Sequence, residues 1–211
     1  MWSELRADCQ FYSKLRYPGG AGRLQRAFIC MRSLGLFVLA MQRIDHYYNI
    51  RKKAKGWTPE TALLKLASLT GRALAMTIAK CDVAWASAIA GGVYLSDRGH
   101  LIIGPQRVGS GTLIHDRVTI GVRAGGGPVK PVVEENVWIG PDCVIYGDIT
   151  IGAGATVLPG TVLSMNVPPR ALVGGNPAII IKKDFDNTKL RQSLACEVDR
   201  EQLVEATCDI S

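Results

Sequence analysis

Residues Val133–Pro168 read VEENVW, IGPDCV, IYGDIT, IGAGAT, VLPGTV and LSMNVP, six hexads without a slip. The first residues, Val133, Ile139, Ile145, Ile151, Val157 and Leu163, are all aliphatic. The fifth residues, Val137, Cys143, Ile149, Ala155, Thr161 and Val167, are small or β-branched. A β-sandwich would show alternation with period two rather than a period of six. The hexads predict a coil in which each repeat makes one short strand and one corner. Three repeats close a turn, and the turns stack into a parallel β-helix. Position one fills the triangular core, and position five also points inward, where only a slim side chain fits. The intervening Gly, Asp and Asn suit corners, where the backbone turns sharply.

The phase extends upstream. Val83, Ile89, Leu95 and Leu101 are spaced by six, one inserted residue leads to Val108, and Ile114 and Ile120 follow by six. The stretch Val122–Val132, VRAGGGPVKPV, breaks the phase and predicts a loop thrown out from the coil.

Composition bounds the remainder. A chain of 211 residues with 47% hydrophobic residues accommodates one solenoid and a smaller element. The longest apolar run, Leu34–Met41, is too short to cross a bilayer. The N-terminal MWSELRADCQ has acids and no apolar segment of the kind an export signal needs, so a cytoplasmic location is expected. Cys9, Cys30, Cys81, Cys143, Cys196 and Cys208 form no CxxC pair and read as reduced thiols, with no metal site expected.

Charge divides the chain. Residues 1–80 hold 14 Lys and Arg against 4 Asp and Glu, a balance of +10, within a total of +7. The densest run is Arg51, Lys52, Lys53 and Lys55. No aromatic interleaving or nucleic-acid motif accompanies it, so no nucleic-acid partner is expected. A solvated helix face and peripheral association with an anionic membrane both fit the charge. Three parts are predicted: an α-helical N-terminal domain over 1–80, a β-helix over 81–183, and a C-terminal helical tail over 184–211. Leu24–Tyr48 has few breakers, and Thr58-Pro59-Glu60 has the form of a helix start. Charges spaced around Leu190, Leu194, Val198 and Leu203 predict a surface helix.

The hexads, the ending VPPRALVGGNPA (Val167–Ala178) and a helical segment feeding into CDVAWASAIAGGVYL resemble the hexapeptide-repeat acyltransferases. The resemblance is to the serine-acetyltransferase-like branch, with its relatives that modify surface polysaccharides. It covers residues 80–181 well and the N-terminal helices loosely. It implies a left-handed β-helix, a homotrimer, and acetyl-CoA bound between neighbouring β-helices as acyl donor. Pairing of trimers through the N-terminal helices is left open. The implied chemistry is direct acetyl transfer to an acceptor hydroxyl. That needs a base to take the hydroxyl proton, a carboxylate to orient the base, and donors for the tetrahedral oxyanion.

The chain departs from the family at the catalytic Asp-His pair, where Ser96 and Asp97 stand. The carboxylate that partners the family's base has a counterpart in Asp82. The Arg-His pair that contacts the serine carboxylate falls near Val129 and Lys130. With those contacts changed, a hydroxyl of a sugar or polysaccharide precursor is the expected acceptor, and free L-serine the alternative. Of three histidines, His46 lies in the helical part. His115 is the first candidate base and His100 the second. Leu95 and Ile114 are one coil apart, so Ser96, Asp97, His115 and Asp116 should share one corner at a strand spacing of roughly 4.8 Å. There Asp97 and Asp116 would hold the imidazole, with Ser96 and Lys130 as acceptor contacts. For acetyl-CoA the candidates are Gly154 and Ser164 on the last coils, the turn Gly174, Gly175, Asn176 and Pro177, and Lys182 and Lys183 for phosphate. A β-helix that has lost its base and serves as a scaffold is the non-enzymatic alternative.

Overall fold

The computed structural model describes residues 2–17, 20, 22–84, 86–122 and 130–192. Three parallel sheets form the faces of a left-handed β-helix. The first face stacks Asp82–Val83, Ile102–Ile103, Thr119–Gly121, Val144–Tyr146 and Val162–Leu163. The second stacks Ala88–Ile89, Arg107–Val108, Val132–Val133 and Thr150–Ile151. The third runs from Tyr94–Leu95 through Leu113–Ile114, Trp138–Ile139 and Thr156–Val157 to Leu172–Gly174. Ile179–Lys182 closes the third face as an antiparallel edge strand.

The register follows the hexads. Ile145 pairs with Leu163, Val133 with Ile151 and Ile139 with Val157. All of these first-position side chains are buried, as are Val137, Cys143, Ile149, Ala155, Thr161 and Val167 at position five. Burying each such aliphatic chain stabilises the fold by about 1.5–3 kcal/mol. Corner residues adopt left-handed backbone where the sequence has Asn136, Asp142, Gly154 and Gly160, a conformation these residue types tolerate best.

One upstream assignment is corrected. Ile103, not Leu101, takes the first position, since Ile103 pairs with both Val83 and Ile120. Leu101 is also fully buried, but it sits at the slim position before the strand. Two apolar residues separated by one both face inward in this coil, so period six alone could not tell them apart.

The N-terminal part is helical: α1 (Trp2–Arg16), α2 (Arg23–Arg32), α3 (Leu34–Lys55) and α4 (Pro59–Leu74), followed by a π-helical turn at Ala75–Ala79. The continuous stretch expected over Leu24–Tyr48 is broken at Ser33. Its hydroxyl accepts the Leu36 N–H and caps α3. Thr58 caps α4 as the sequence predicts, accepting from Thr61 N–H at 3.2 Å.

These helices close the open end of the solenoid. The lowest coil has no coil beneath it, so its outward backbone groups need other partners. Asp8 accepts the Gly92 N–H at 2.8 Å. Arg43 donates to the carbonyls of Ile89 and Ala90, and Gln42 Nε2 donates to that of Ser87. The Tyr12 hydroxyl bonds both backbone groups of Leu95. At the other end, Asn187 donates to the carbonyls of Asn136 and Gly154. Residues 188–192 are helical. Leu194, Val198 and Leu203, expected on the tail helix, lie outside the described residues, as do Val129 and the greater part of the predicted loop.

Candidate active site

One ladder of backbone hydrogen bonds builds the corner between the third and first faces. Ser96 N–H reaches Ile114 O, His115 N–H reaches Ile139 O, Gly140 N–H reaches Val157 O, and Leu158 N–H reaches Val173 O. Ser96, His115, Gly140, Leu158 and Gly174 therefore form one column, rising by roughly 4.8 Å per coil. His115 is half-buried, and its imidazole meets the Trp138 ring edge-on at 4.7 Å between centroids. That contact limits the rotation of the ring. Trp138 is buried, and its Nε1 has no hydrogen-bond partner among the described residues, nor has Thr156 Oγ1, its neighbour in register.

The carboxylates expected around His115 have other partners. Asp97 faces the start of α3: Ser33 Oγ donates to it at 2.6 Å and Gly35 N–H at 3.0 Å, with Arg16 at 3.6 Å. It satisfies N-terminal donors of α3, a role that the sequence did not indicate. Asp116 is buried, and its carboxylate pairs with Arg117 at 2.8 Å. Arg117 also forks onto Asp142 at 2.5 and 2.7 Å. The guanidinium holds the Asp142 carboxyl below the usual carboxylate range, while its own pKa is raised. This network lies on the flank of the column, where it braces the corner carrying His115.

His100 is exposed and adopts φ +60°, with its backbone N–H on Ala79 O. Asp82 lies at the lower edge of the same corner, its N–H on Leu101 O at 2.7 Å and its carboxylate on Arg72 at 3.0 Å. Ser96 is buried, and its hydroxyl accepts the Arg98 N–H. Lys130 is half-buried and precedes the second-face strand Val132–Val133, on a different corner from His115.

The coenzyme candidates are distributed in the same way. Gly174 tops the His115 column, and Gly175 (φ +101°), Asn176 and Pro177 continue the turn, exposed. A Cβ at Gly174 would meet Leu158 Cδ1 at 3.0 Å, and one at Gly140, two steps below, would meet Pro159 N at 2.8 Å, so the corner has little room for larger side chains. Gly154 sits between the second and third faces under Asn187, and Ser164 follows the first face. Both are thus removed from the column, because each hexad position recurs on three faces and the sequence repeat does not name the face. Lys182 and Lys183 are exposed at the end of the antiparallel edge strand. Trp138 was not singled out in the sequence. Its place before Ile139, one coil above Leu113–Ile114, is the signal that would have found it.

Among the described residues no cluster of three His, Cys, Asp or Glu could hold a metal ion. Cys81 and Cys143 are buried free thiols, and burial pushes the Cys143 pKa up to about 11.

Residues 130–164 match the family described as bacterial transferase hexapeptide (six repeats). A serine acetyltransferase of Buchnera aphidicola subsp. Schizaphis graminum is 30% identical over 164 residues, 74% of this chain. The match spans 56% of that relative, so the chain covers little more than half its length. Soybean serine acetyltransferase complexed with serine superposes with a TM-score of 0.68 at 25% identity, over 85% of this chain and 68% of that one. A Brucella abortus serine acetyltransferase in complex with coenzyme A superposes at 0.67 with 24% identity, over 87% and 68%, a likeness of fold. By these matches the chain carries hexapeptide transferase repeats over residues 130–164 and resembles serine acetyltransferases over most of its length.

Proposed function

We propose that the chain is an O-acetyltransferase that uses acetyl-CoA as donor, works as a homotrimer in the cytoplasm, and takes His115 as its general base. The observation that carries this reading is the shared column of His115 and the Gly174–Pro177 turn. His115 and this small-residue turn share one corner, three coil steps or roughly 14 Å apart, which supports their reading as base and coenzyme turn. A pantetheine arm extended along that corner brings the thioester toward His115.

In the step proposed, a His115 ring nitrogen takes the acceptor hydroxyl proton as the oxygen attacks the thioester carbonyl carbon. The tetrahedral intermediate expels the coenzyme thiolate as the carbon–sulfur bond breaks, and the imidazolium returns the proton to the thiolate. Trp138 keeps the imidazole in position, while the Arg117 network braces the corner. Exposed Lys182 and Lys183 are the proposed phosphate contacts.

L-Serine is the favoured acceptor, because the relatives matched over the largest share of the chain are named serine acetyltransferases. A sugar hydroxyl is the second reading. It is favoured by the commitment of Asp97 to α3 at the position of the family's histidine. The test is thiol release from acetyl-CoA with L-serine and with a panel of nucleotide sugars and oligosaccharides. The expected result is turnover of L-serine that falls by about 10²-fold or more in His115→Ala. Turnover of sugars alone would reassign the acceptor. Unchanged turnover in His115→Ala would remove His115 as base, and no turnover with any acceptor would favour a scaffold.

A further inference from the structure

Helix α4 and the π-helical turn after it form one rod, Pro59–Ala79, 21 residues long, with a mean hydropathy of 1.3 over its apolar stretch. Only 22% of that stretch is buried. One side of the rod, carrying Thr61, Ser68, Gly71 and Ala75, is buried toward α3, where Gly71 abuts Met41. At 100° per residue the opposite side presents Leu63, Leu66, Leu69, Thr70, Ala73 and Leu74, with no charge among them. Leu63 is 69% exposed, Leu66 59% and Leu69 53%. A helix that faced only water would carry its charges there. On α4 the charges, Glu60, Lys65 and Arg72, stand toward the margins of that face instead.

The apolar surface continues past the helix. Leu74 and Ile78 form one wall of a cavity of about 420 Å³ whose other walls include Leu5, Cys9 and Phe37, with Arg32 on its lining. Near the start of α4, Trp57 is 69% exposed, with Lys52 Nζ 5.3 Å from its ring centre. Arg51 and Lys53 flank Lys52, within a segment whose net charge is +10 over residues 1–80.

We propose that this face docks on the surface of an anionic phospholipid bilayer. Leu63, Leu66 and Leu69 enter the boundary between headgroups and acyl chains, Trp57 lies at headgroup level, and Arg51, Lys52 and Lys53 meet the lipid phosphates. Charge complementarity selects this occupant, since a second copy of the chain would bring an identical basic segment against the first. The rod lies along the membrane rather than across it, because its buried side is tied to α3, which carries Arg43, Asp45 and Arg51–Lys53. The proposal does not rest on the acetyl-transfer reading.

The test is co-sedimentation of the full-length protein with vesicles of phosphatidylcholine alone or mixed with phosphatidylglycerol, at low and high salt. Light scattering gives its size in solution. The expected result is binding to the anionic vesicles at low salt. It should weaken about tenfold or more in Leu66→Glu/Leu69→Glu and in Lys52→Glu/Lys53→Glu, with oligomer size unchanged. The uncharged Leu66→Gln/Leu69→Gln variant, with melting followed by circular dichroism, separates lost binding from lost folding. Absence of vesicle binding by the unmodified protein overturns the proposal. So does an assembly in solution that the leucine variants split, which would assign the face to a second copy.

Discussion

The Tyr12 hydroxyl closes both backbone groups of Leu95, donating to its carbonyl and accepting its N–H, each at 2.8 Å. The two residues are 83 positions apart. Leu95 lies on the lowest strand of the third face, immediately before Ser96 at the foot of the His115 column. Helix α3 joins the same contact: a Cβ on Gly35 would collide with the Leu95 carbonyl oxygen and the Tyr12 hydroxyl. Tyr12→Phe leaves two buried backbone groups unpaired. A loss of about 1–3 kcal/mol in denaturant unfolding is expected, with faster hydrogen exchange at the Leu95 amide.

The Asp8–Arg43 pair is buried, with Arg43 Nη2 3.3 Å from Asp8 Oδ2. Burial pushes the Asp8 pKa up, against the opposing pull of Arg43. Removing one partner strands the other charge, so Arg43→Met should cost about 3–5 kcal/mol by chemical denaturation. The Arg43→Met/Asp8→Asn double variant should recover part of that loss. Full additivity of the two changes would mean the charges are not coupled.

Asp97 follows Ser96 at the foot of the His115 column, and its carboxylate serves α3. Asp97→Ala is expected to lower stability by about 1–2 kcal/mol through the lost cap. Its kcat/KM should stay within about threefold of the unmodified enzyme once both are measured well below their melting temperatures. A fall comparable to that of His115→Ala would return Asp97 to the chemistry.

Trp138 is argued to act through His115, as a positioning residue. Trp138→Phe keeps an edge-on aromatic contact and Trp138→Ala does not. The alanine variant should lose about tenfold or more in kcat with the KM for acetyl-CoA little changed, while phenylalanine rescues most of the rate. Equal losses in both variants, or a change in KM alone, would point to a structural or binding role.

Cys143 provides a pH-dependent readout of the core. Its ordinary pKa of 9.0 is pushed up to about 11 by burial, so the folded state holds the thiol proton more tightly than the unfolded chain. The corresponding stability is fully present below about pH 9 and is lost as pH rises through about 11. It is worth about 2–3 kcal/mol at most. Stability measured across that window should fall less in Cys143→Ala than in the unmodified protein, and parallel curves would contradict the burial effect.

The hexads of Val133–Pro168 made the β-helix legible because each repeat is a local unit whose inward positions recur without reference to the rest of the chain. Cys143 and Thr161 were placed inside by period alone, and both are buried. The stacking of Ser96 under His115 was also readable, since it follows from counting one coil. The Leu101–Ile103 register was not, because either residue satisfies an inward position.

The sequence by itself determined the repeat, the inward positions of the coil, the cap at Thr58 and the basic N-terminal segment. These depend on backbone geometry and near neighbours. Tertiary structure alone decided that Asp97 points to α3, that Gly154 lies under Asn187, that Trp138 meets His115 edge-on, and that α4 leaves an uncharged face open. Each of those depends on which face of a threefold coil a residue occupies, and on which distant helix arrives to pair a polar group that would otherwise be left without a partner.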